Sequence, residues 1–219
     1  MNESVALYLT FSEFQPPRKI SGCECCISEK QLKVLATKKL VEITPGEIET
    51  YACSALKTVG SIDDFMYLFP RVFDLLMKDE FEWVDPEIIY GAIAIAKFSQ
   101  WDKRKKDLIK GLSRKKYLQL LKSEDDNLKV DSWLCAISHI ESDISFYLQR
   151  MEQPEHAQAL YSFTERNIQS ISSGKLHNPF WRDCPDQEKV ILSWMHQGKV
   201  AEYLLKTYGM DLKKQATSG

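Results

Sequence analysis

The chain has 219 residues, of which 44% are apolar and 27% charged, with only 9 Gly and 8 Pro. By surface scaling, a chain of this size buries about 70% of its unfolded surface on folding, so a sizeable core is available. This composition excludes collagen-like, low-complexity and disordered classes, and the formal charge of −2 provides no global basic field for nucleic acid.

The longest apolar stretch, around Ile88–Ala96, is too short to span a bilayer, which needs about 20 residues. The start Met1-Asn2-Glu3-Ser4 lacks the basic and cleavage features of a signal peptide, so cytoplasmic residence is expected. In that reducing compartment disulfides are rare, and most of the six cysteines (23, 25, 26, 53, 135 and 184) read as small buried hydrophobes.

Helix signals run along almost the whole chain. Thr44, Pro45 and Glu47 form a capping box with Pro in the first turn, followed by an apolar stripe Ile48, Tyr51, Ala52, Ala55, Leu56 and Val59 that Gly60 stops. Ser61 and Asp64 repeat the box ahead of Ile62, Phe65, Met66, Phe69, Val72, Phe73 and Leu76, with a kink or break expected at Pro70. Asp85-Pro86 opens a helix with Ile88, Ile89, Ala92, Ile93 and Ala96, apolar nearly all round and therefore expected at a buried central position.

Lys103 to Leu121 reads as a basic amphipathic helix over Leu108, Leu112 and Leu118, and Lys122–Asn127 as a polar connection. Further helices are expected over Leu128–Ile140, with Trp133, Ala136, Ile137 and Ile140 on one side, over Ile144–Met151 after Ser142 or Asp143, and from Pro154 to about Ile171. A last long helix opens at Pro185 with Val190, Ile191, Trp194, Val200, Tyr203 and Leu204 inward, before a frayed tail Lys213–Gly219. Leu40–Ile43 is the one short alternating run and fits a linker or an edge strand. The expectation is an all-α fold: an irregular multi-helix bundle of antiparallel hairpins with about nine or ten helices. Residues 1–22 read as an N-terminal segment, 23–210 as a single helical domain with a candidate lobe division near 122–127, and 211–219 as a flexible tail.

Catalytic signatures are sparse. Neither phosphate-cradling glycine pattern occurs, nor G-x-S-x-G nor H-E-x-x-H, and His139, His156, His177 and His196 are widely separated, with His139 read as a core or boundary side chain. Asp63-Asp64 and Asp125-Asp126 are sequence neighbours, which point apart on a helix and suit capping and solvation. Cys23, Cys25 and Cys26 include the C-x-x-C spacing with which two thiolates grip zinc, but no second such pair follows, and Cys184 or His177 could join only through the fold. A thioredoxin-like strand–helix context is also missing, so these thiols are read as packed at a helix entrance, with a metal- or redox-dependent enzyme or regulator as the alternative. The chain is read as a non-enzyme without cofactor or metal.

Charge is unevenly distributed. Asp63–Glu87 holds eight acids (Asp63, Asp64, Asp74, Asp79, Glu80, Glu82, Asp85, Glu87) against Arg71 and Lys78, whereas Lys97–Lys122 holds ten bases against Asp102 and Asp107. The plainest reading is two solvated faces. An anion- or nucleic-acid-binding role for Lys103–Lys116 is the weaker functional alternative, because only Trp101 and Tyr117 could stack on bases. The acidic segment fits a surface that steers toward a basic protein, with Phe81 and Trp83 as anchors rimmed by Glu80 and Glu82. Candidate partner-binding residues are therefore Asp63, Asp64, Asp79, Glu80, Phe81, Glu82 and Trp83, against the blander option that Trp83 plugs the core.

Several stretches resemble a family of uncharacterised bacterial proteins found in many soil bacteria. They are Cys23-Glu24-Cys25-Cys26, Thr44-Pro45-Gly46-Glu47, Asp63 through Arg71, Trp133-Leu134-Cys135-Ala136 with Tyr147-Leu148, and Phe180-Trp181, spanning roughly 23–205. The resemblance implies an all-helical fold and no assigned activity. Val59 stands where members of that family often carry Trp, which suggests a packing position. In size and type the chain is also similar to cognate immunity proteins of bacterial polymorphic toxins. The resulting expectation is a non-catalytic protein that binds and occludes a cognate toxin, with no membrane association and with nucleic acid an unlikely partner.

Overall fold

A computed structural model describes residues 2–123, 128–171 and 173–209. Residues 124–127 of the expected polar division (Asp125 and Asp126 included), Ser172, the side chain of Leu204 and the tail Lys213–Gly219 lie outside the described residues. The protein is an all-α bundle, 68% helical. Its eleven helices among the described residues are α1 (Glu3–Thr10), α2 (Glu29–Thr37), α3 (Pro45–Ser54), α4 (Ile62–Met77), α5 (Pro86–Ile95), α6 (Lys103–Leu120), α7 (Lys129–Ser138), α8 (Ser145–Met151), α9 (Ala157–Ile171), α10 (Pro185–Met195) and α11 (Gly198–Tyr208). Leu40–Glu42 is a 3-10 turn rather than an edge strand. The chain divides into two compact units, Met1–Lys116 and Tyr117–Gly219. No helix among the described residues is long and apolar enough to cross a membrane.

The first unit is organised around α4, which packs against α1, α3 and α5. Its capping box is formed as the spacing predicts: the Asp64 carboxylate accepts from the Ser61 N–H at 2.7 Å, and the Ser61 hydroxyl oxygen accepts from the Asp64 N–H at 3.2 Å. The helix runs unbroken through Pro70, which is itself buried. A proline inside a helix costs about 3 kcal/mol. Burial of a large apolar side chain contributes roughly 1.5–3 kcal/mol, and α4 buries Phe65, Leu68, Phe69, Val72, Phe73, Leu75 and Leu76 together. Packing therefore outweighs the local preference for a break. Along one face Phe65, Phe69 and Phe73 pack as tilted rings at centroid spacings of 5.4 and 5.2 Å, and Phe69 also meets Phe11 at 5.0 Å and Trp101 at 5.4 Å. Asp74, buried on the same helix, accepts from Ser4 Oγ at 2.6 Å and Lys78 Nζ at 2.8 Å, which ties α1 down.

Three sequence expectations change here. The stripe predicted from Thr44 to Gly60 is not one helix: α3 ends at Ser54, because Leu56 turns left-handed at φ 61° and donates to the Val59 carbonyl at 2.9 Å. Ala55 and Val59 are still buried, but from a loop in which Val59 bridges back to Gly22. Helix α5 is not enclosed all round, since Ala94 and Ile95 are exposed. The basic helix α6 covers Ile109, Leu112, Tyr117 and Leu120 fully and Leu108 and Leu118 only partly, and it also buries two of its lysines, Lys105 and Lys116.

In the second unit α9 packs against α7, α8 and α11. The long helix expected from Pro185 is two helices, α10 and α11, joined at Gly198 with φ 54°, and Val190 faces solvent rather than the core. Ile140 is half-buried just past α7, and Asp143 Oδ1 accepts from the Ser145 N–H at 2.9 Å at the entrance of α8. Tyr161 and Tyr203 stack at 4.2 Å between α9 and α11. Buried polar groups form a node: Asp131 Oδ1 accepts from Trp181 Nε1 at 3.2 Å, and Asn167 Oδ1 accepts from the His177 N–H at 2.8 Å. Burial raises the Asp131 carboxyl above its ordinary value, against the opposing effect of the hydrogen bonds from Trp181, Asn178 and Asn167.

Two outcomes follow. Replacing Phe69, the ring shared by the α4 stack, Phe11 and Trp101, in Phe69→Ala lowers stability by about 3–5 kcal/mol in urea denaturation, through lost burial and a residual cavity. Because the folded chain holds the Asp131 proton more tightly than the unfolded chain does, the contribution of Asp131 to stability falls as pH rises from the ordinary carboxyl value of 3.8 through its raised folded value. The variant Asp131→Asn, which keeps an oxygen acceptor for Trp181 but cannot titrate, loses that contribution to the pH dependence, read by urea denaturation at several pH values.

Candidate functional site

Helix α4 ends in a Schellman turn built without glycine. The Glu80 N–H donates to the Leu75 carbonyl at 3.0 Å and the Asp79 N–H to the Leu76 carbonyl at 3.1 Å, with Asp79 left-handed at φ 55°. Aspartate tolerates that conformation better than most residues. The turn delivers the chain into the segment Glu80–Asp85 that leads to α5. Val84 is buried and Phe81 half-buried, so both hold this segment to the body.

The backbone of the segment is fixed from below by Glu49 of α3. One carboxylate oxygen, Oε1, accepts from both the Glu82 and the Trp83 N–H, each at 2.8 Å. The Trp83 side chain points away from the core and is 72% exposed. The option that Trp83 plugs the core is therefore corrected: Val84 takes the buried position next to it. Glu80, Glu82 and Asp85 on the same segment are also exposed. Cys53, half-buried on α3, has its thiol raised by burial, with the nearby Glu49 and Asp85 carboxylates adding to the effect.

The acidic stretch does not form one continuous surface. Helix α4 runs from Ile62 to Met77, so Asp63 and Asp64 in its first turn lie about 20 Å from its far end. Asp64 is engaged in the capping box, Asp79 in an ion pair with Lys116, and Asp74 and Glu87 are buried. Of the seven candidates named from sequence, the structure brings Glu80, Phe81, Glu82 and Trp83 together, with Asp79 at their base. It leaves Asp63 and Asp64 at the opposite end of the helix.

The basic helix is likewise largely committed. Lys105 pairs with Glu13 at 2.8 Å and with Asp102, Lys115 pairs with Glu3, and Lys116 with Asp79. The Lys105 and Lys116 side chains are 7% and 8% exposed. These lysines hold the unit together, which weakens the reading of Lys103–Lys116 as a phosphate-binding face.

The cysteines divide by burial. Cys135 and Cys184 are buried, as read from the sequence, and burial raises the Cys184 thiol to about 11. Cys23 and Cys25 are exposed and Cys26 half-buried, so the expectation of thiols packed at the helix entrance is corrected. They sit in a turn where the Cys23 carbonyl accepts the Cys26 N–H at 2.9 Å and the Ile27 N–H at 3.1 Å, ahead of the Ser28–Gln31 capping box of α2. Their sulfurs gather: Cys23 Sγ lies 2.8 Å from Cys25 Sγ, which lies 3.8 Å from Cys26 Sγ. The hydrogen bond from Cys25 holds the Cys23 thiol below its ordinary value and pushes Cys25 up to about 11.

No protein-family model matches the chain, and no characterised protein or solved structure matches it either. Sequence reasoning missed Glu49, the residue that shapes the loop, because a carboxylate on a helical turn carries no mark of an acceptor for amides more than thirty positions away.

Removing that acceptor in Glu49→Ala frees the loop without touching the hydrophobic core. Amide exchange at Glu82 and Trp83 accelerates about tenfold or more, since a hydrogen bond to a charged group contributes roughly 1.5–3 kcal/mol. Exchange within α4 stays unchanged, and both effects are read by hydrogen–deuterium exchange with mass spectrometry.

Proposed function

We propose that this protein is a non-catalytic binding protein whose recognition element is the Glu80–Asp85 segment, presented to a basic protein surface. The observation that carries the reading is a tryptophan 72% exposed on a segment whose backbone is anchored on both sides, by Glu49 from beneath and by Val84 in the core. Tryptophan is enriched among residues that dominate binding energy. Holding the loop in place before binding reduces the ordering cost that association otherwise incurs. Glu80, Glu82 and Asp85 supply the negative rim that speeds encounter with a cationic partner and sets register.

In its most specific form the reading is a cytoplasmic immunity protein that occludes the substrate cleft of a cognate toxin. The resemblance to such proteins in size and helical character supports it, and occlusion requires only a rigid scaffold and a complementary surface. The ion pairs that commit Lys105, Lys115 and Lys116 favour this reading over an anion-binding one.

The test uses the product of a toxin-like gene next to this one, with affinity measured by calorimetry. Trp83→Ala weakens the complex by about 2 kcal/mol or more, the range of an interface hot spot. The double reversal Glu80→Lys with Glu82→Lys slows association and removes most of its salt dependence. Unchanged affinity in both variants rejects the segment as the interface.

A further inference from the structure

Cysteine is among the residue types most often buried, yet the Cys23–Cys26 turn sets two of its three thiols in solvent. Packing therefore does not account for them. The backbone around them is fixed at several points. The Cys23 N–H donates to the Thr58 carbonyl at 3.0 Å, and the Gly60 N–H to the Ser21 carbonyl at 2.8 Å. Ile20 and Ile27 on either side are buried. Gly22 lies so close to the α3–α4 loop that a Cβ there would stand 3.0 Å from Val59 Cγ1. Glycine at this position lets the turn lie flat against that loop. Within this frame the sulfurs of Cys23, Cys25 and Cys26 all lie within 4.8 Å of one another, so a single ion can touch all three.

We infer that Cys23, Cys25 and Cys26 form a solvent-facing three-thiolate site for a soft closed-shell cation, of the Cu(I) or Zn(II) class. The donor set is all sulfur, and thiolates select these ions over magnesium, calcium or manganese. Three protein ligands at the surface leave one position toward solvent. Cu(I) takes the three sulfurs alone, whereas Zn(II) completes its four-coordinate shell with water. Binding replaces three S–H bonds by three metal–sulfur bonds and releases three protons to buffer, with no change in oxidation state. The site is independent of the Trp83 segment.

The experiment titrates the reduced full-length protein, under argon, with Cd(II) as an optical probe of thiolate ligation, then with Zn(II) and with Cu(I) against competing chelators. One ion per chain is expected, with a thiolate-to-metal charge-transfer band. Each of Cys23→Ser, Cys25→Ser and Cys26→Ser weakens binding by at least the roughly tenfold that loss of even an outer-shell partner costs, and the triple variant abolishes it. Cys53→Ser and Cys184→Ser leave binding unchanged. Far-ultraviolet circular dichroism of the triple variant stays native, because the turn is held by backbone hydrogen bonds and by Ile20 and Ile27. Tighter Cu(I) than Zn(II) binding after correction for the chelators identifies Cu(I) as the preferred ion, and the reverse order Zn(II). A reduced protein that takes up none of the three ions overturns the inference, as does uptake that persists in the triple variant. Loss of two thiols to a disulfide in air, with no metal bound after reduction, assigns the cluster to thiol redox chemistry and overturns it as well. Partner binding through Trp83 stays intact in the triple variant, so failure of one reading leaves the other standing.

Discussion

The aromatic column of α4 is the constraint on which the first unit depends. Phe65, Phe69 and Phe73 present a continuous apolar face, and Phe11 and Trp101 close on Phe69 from two other parts of the chain. Because these rings are fully desolvated, the helix keeps its course through Pro70, and both of its ends acquire fixed positions. At one end the Ser61–Asp64 box orients the loop that carries Val59 and supports the cysteine turn. At the other the Schellman turn at Asp79 launches the exposed Trp83. The two surface features of interest are thus set by the two ends of one buried element.

Electrostatics in this unit is mainly architectural. Surface ion pairs contribute little on their own, but Lys105 and Lys116 are nearly enclosed, and a buried ammonium without its carboxylate is strongly unfavourable. Their pairing with Glu13, Asp102 and Asp79 therefore fixes where the N-terminal region and the end of α4 lie relative to α6. Two of the ten bases in that sequence block thereby become internal ties. The acidic block undergoes a similar reduction: a helix cap, a buried hub at Asp74 and an ion pair take up several of its charges. Glu80, Glu82 and Asp85 remain in solvent beside one tryptophan.

The all-α class, the Thr44–Glu47 and Ser61–Asp64 boxes, and the buried faces of α4 and α7 were legible in the residues. Local hydrogen-bonding chemistry and 3.6-residue periodicity act over one or two turns, and one or two turns can be read from neighbours. Helix ends were less legible. Leu56 and Asp79 adopt left-handed conformations that sequence rules assign to glycine, and the surrounding contacts hold them there. Helix α1 was not anticipated, and α2 was implied only by placing the cysteines at a helix entrance, although Ser28 and Gln31 carried a capping signal that could have marked its start.

For the candidate sites the division is sharper. From the residues alone came the acidic and aromatic composition of the Glu80–Trp83 segment and the C-x-C-C spacing, because composition and short spacing are local properties of the chain. Tertiary structure decided that Trp83 faces water, that Glu49 holds its backbone, that Asp63 and Asp64 stand at the far end of α4, and that three thiols converge. Those outcomes depend on which distant backbone groups meet, as when Thr58 receives the Cys23 amide and Glu49 receives two amides from beyond α4. Such meetings are set by how the helices bury their apolar faces against one another, and no short window of sequence contains that information.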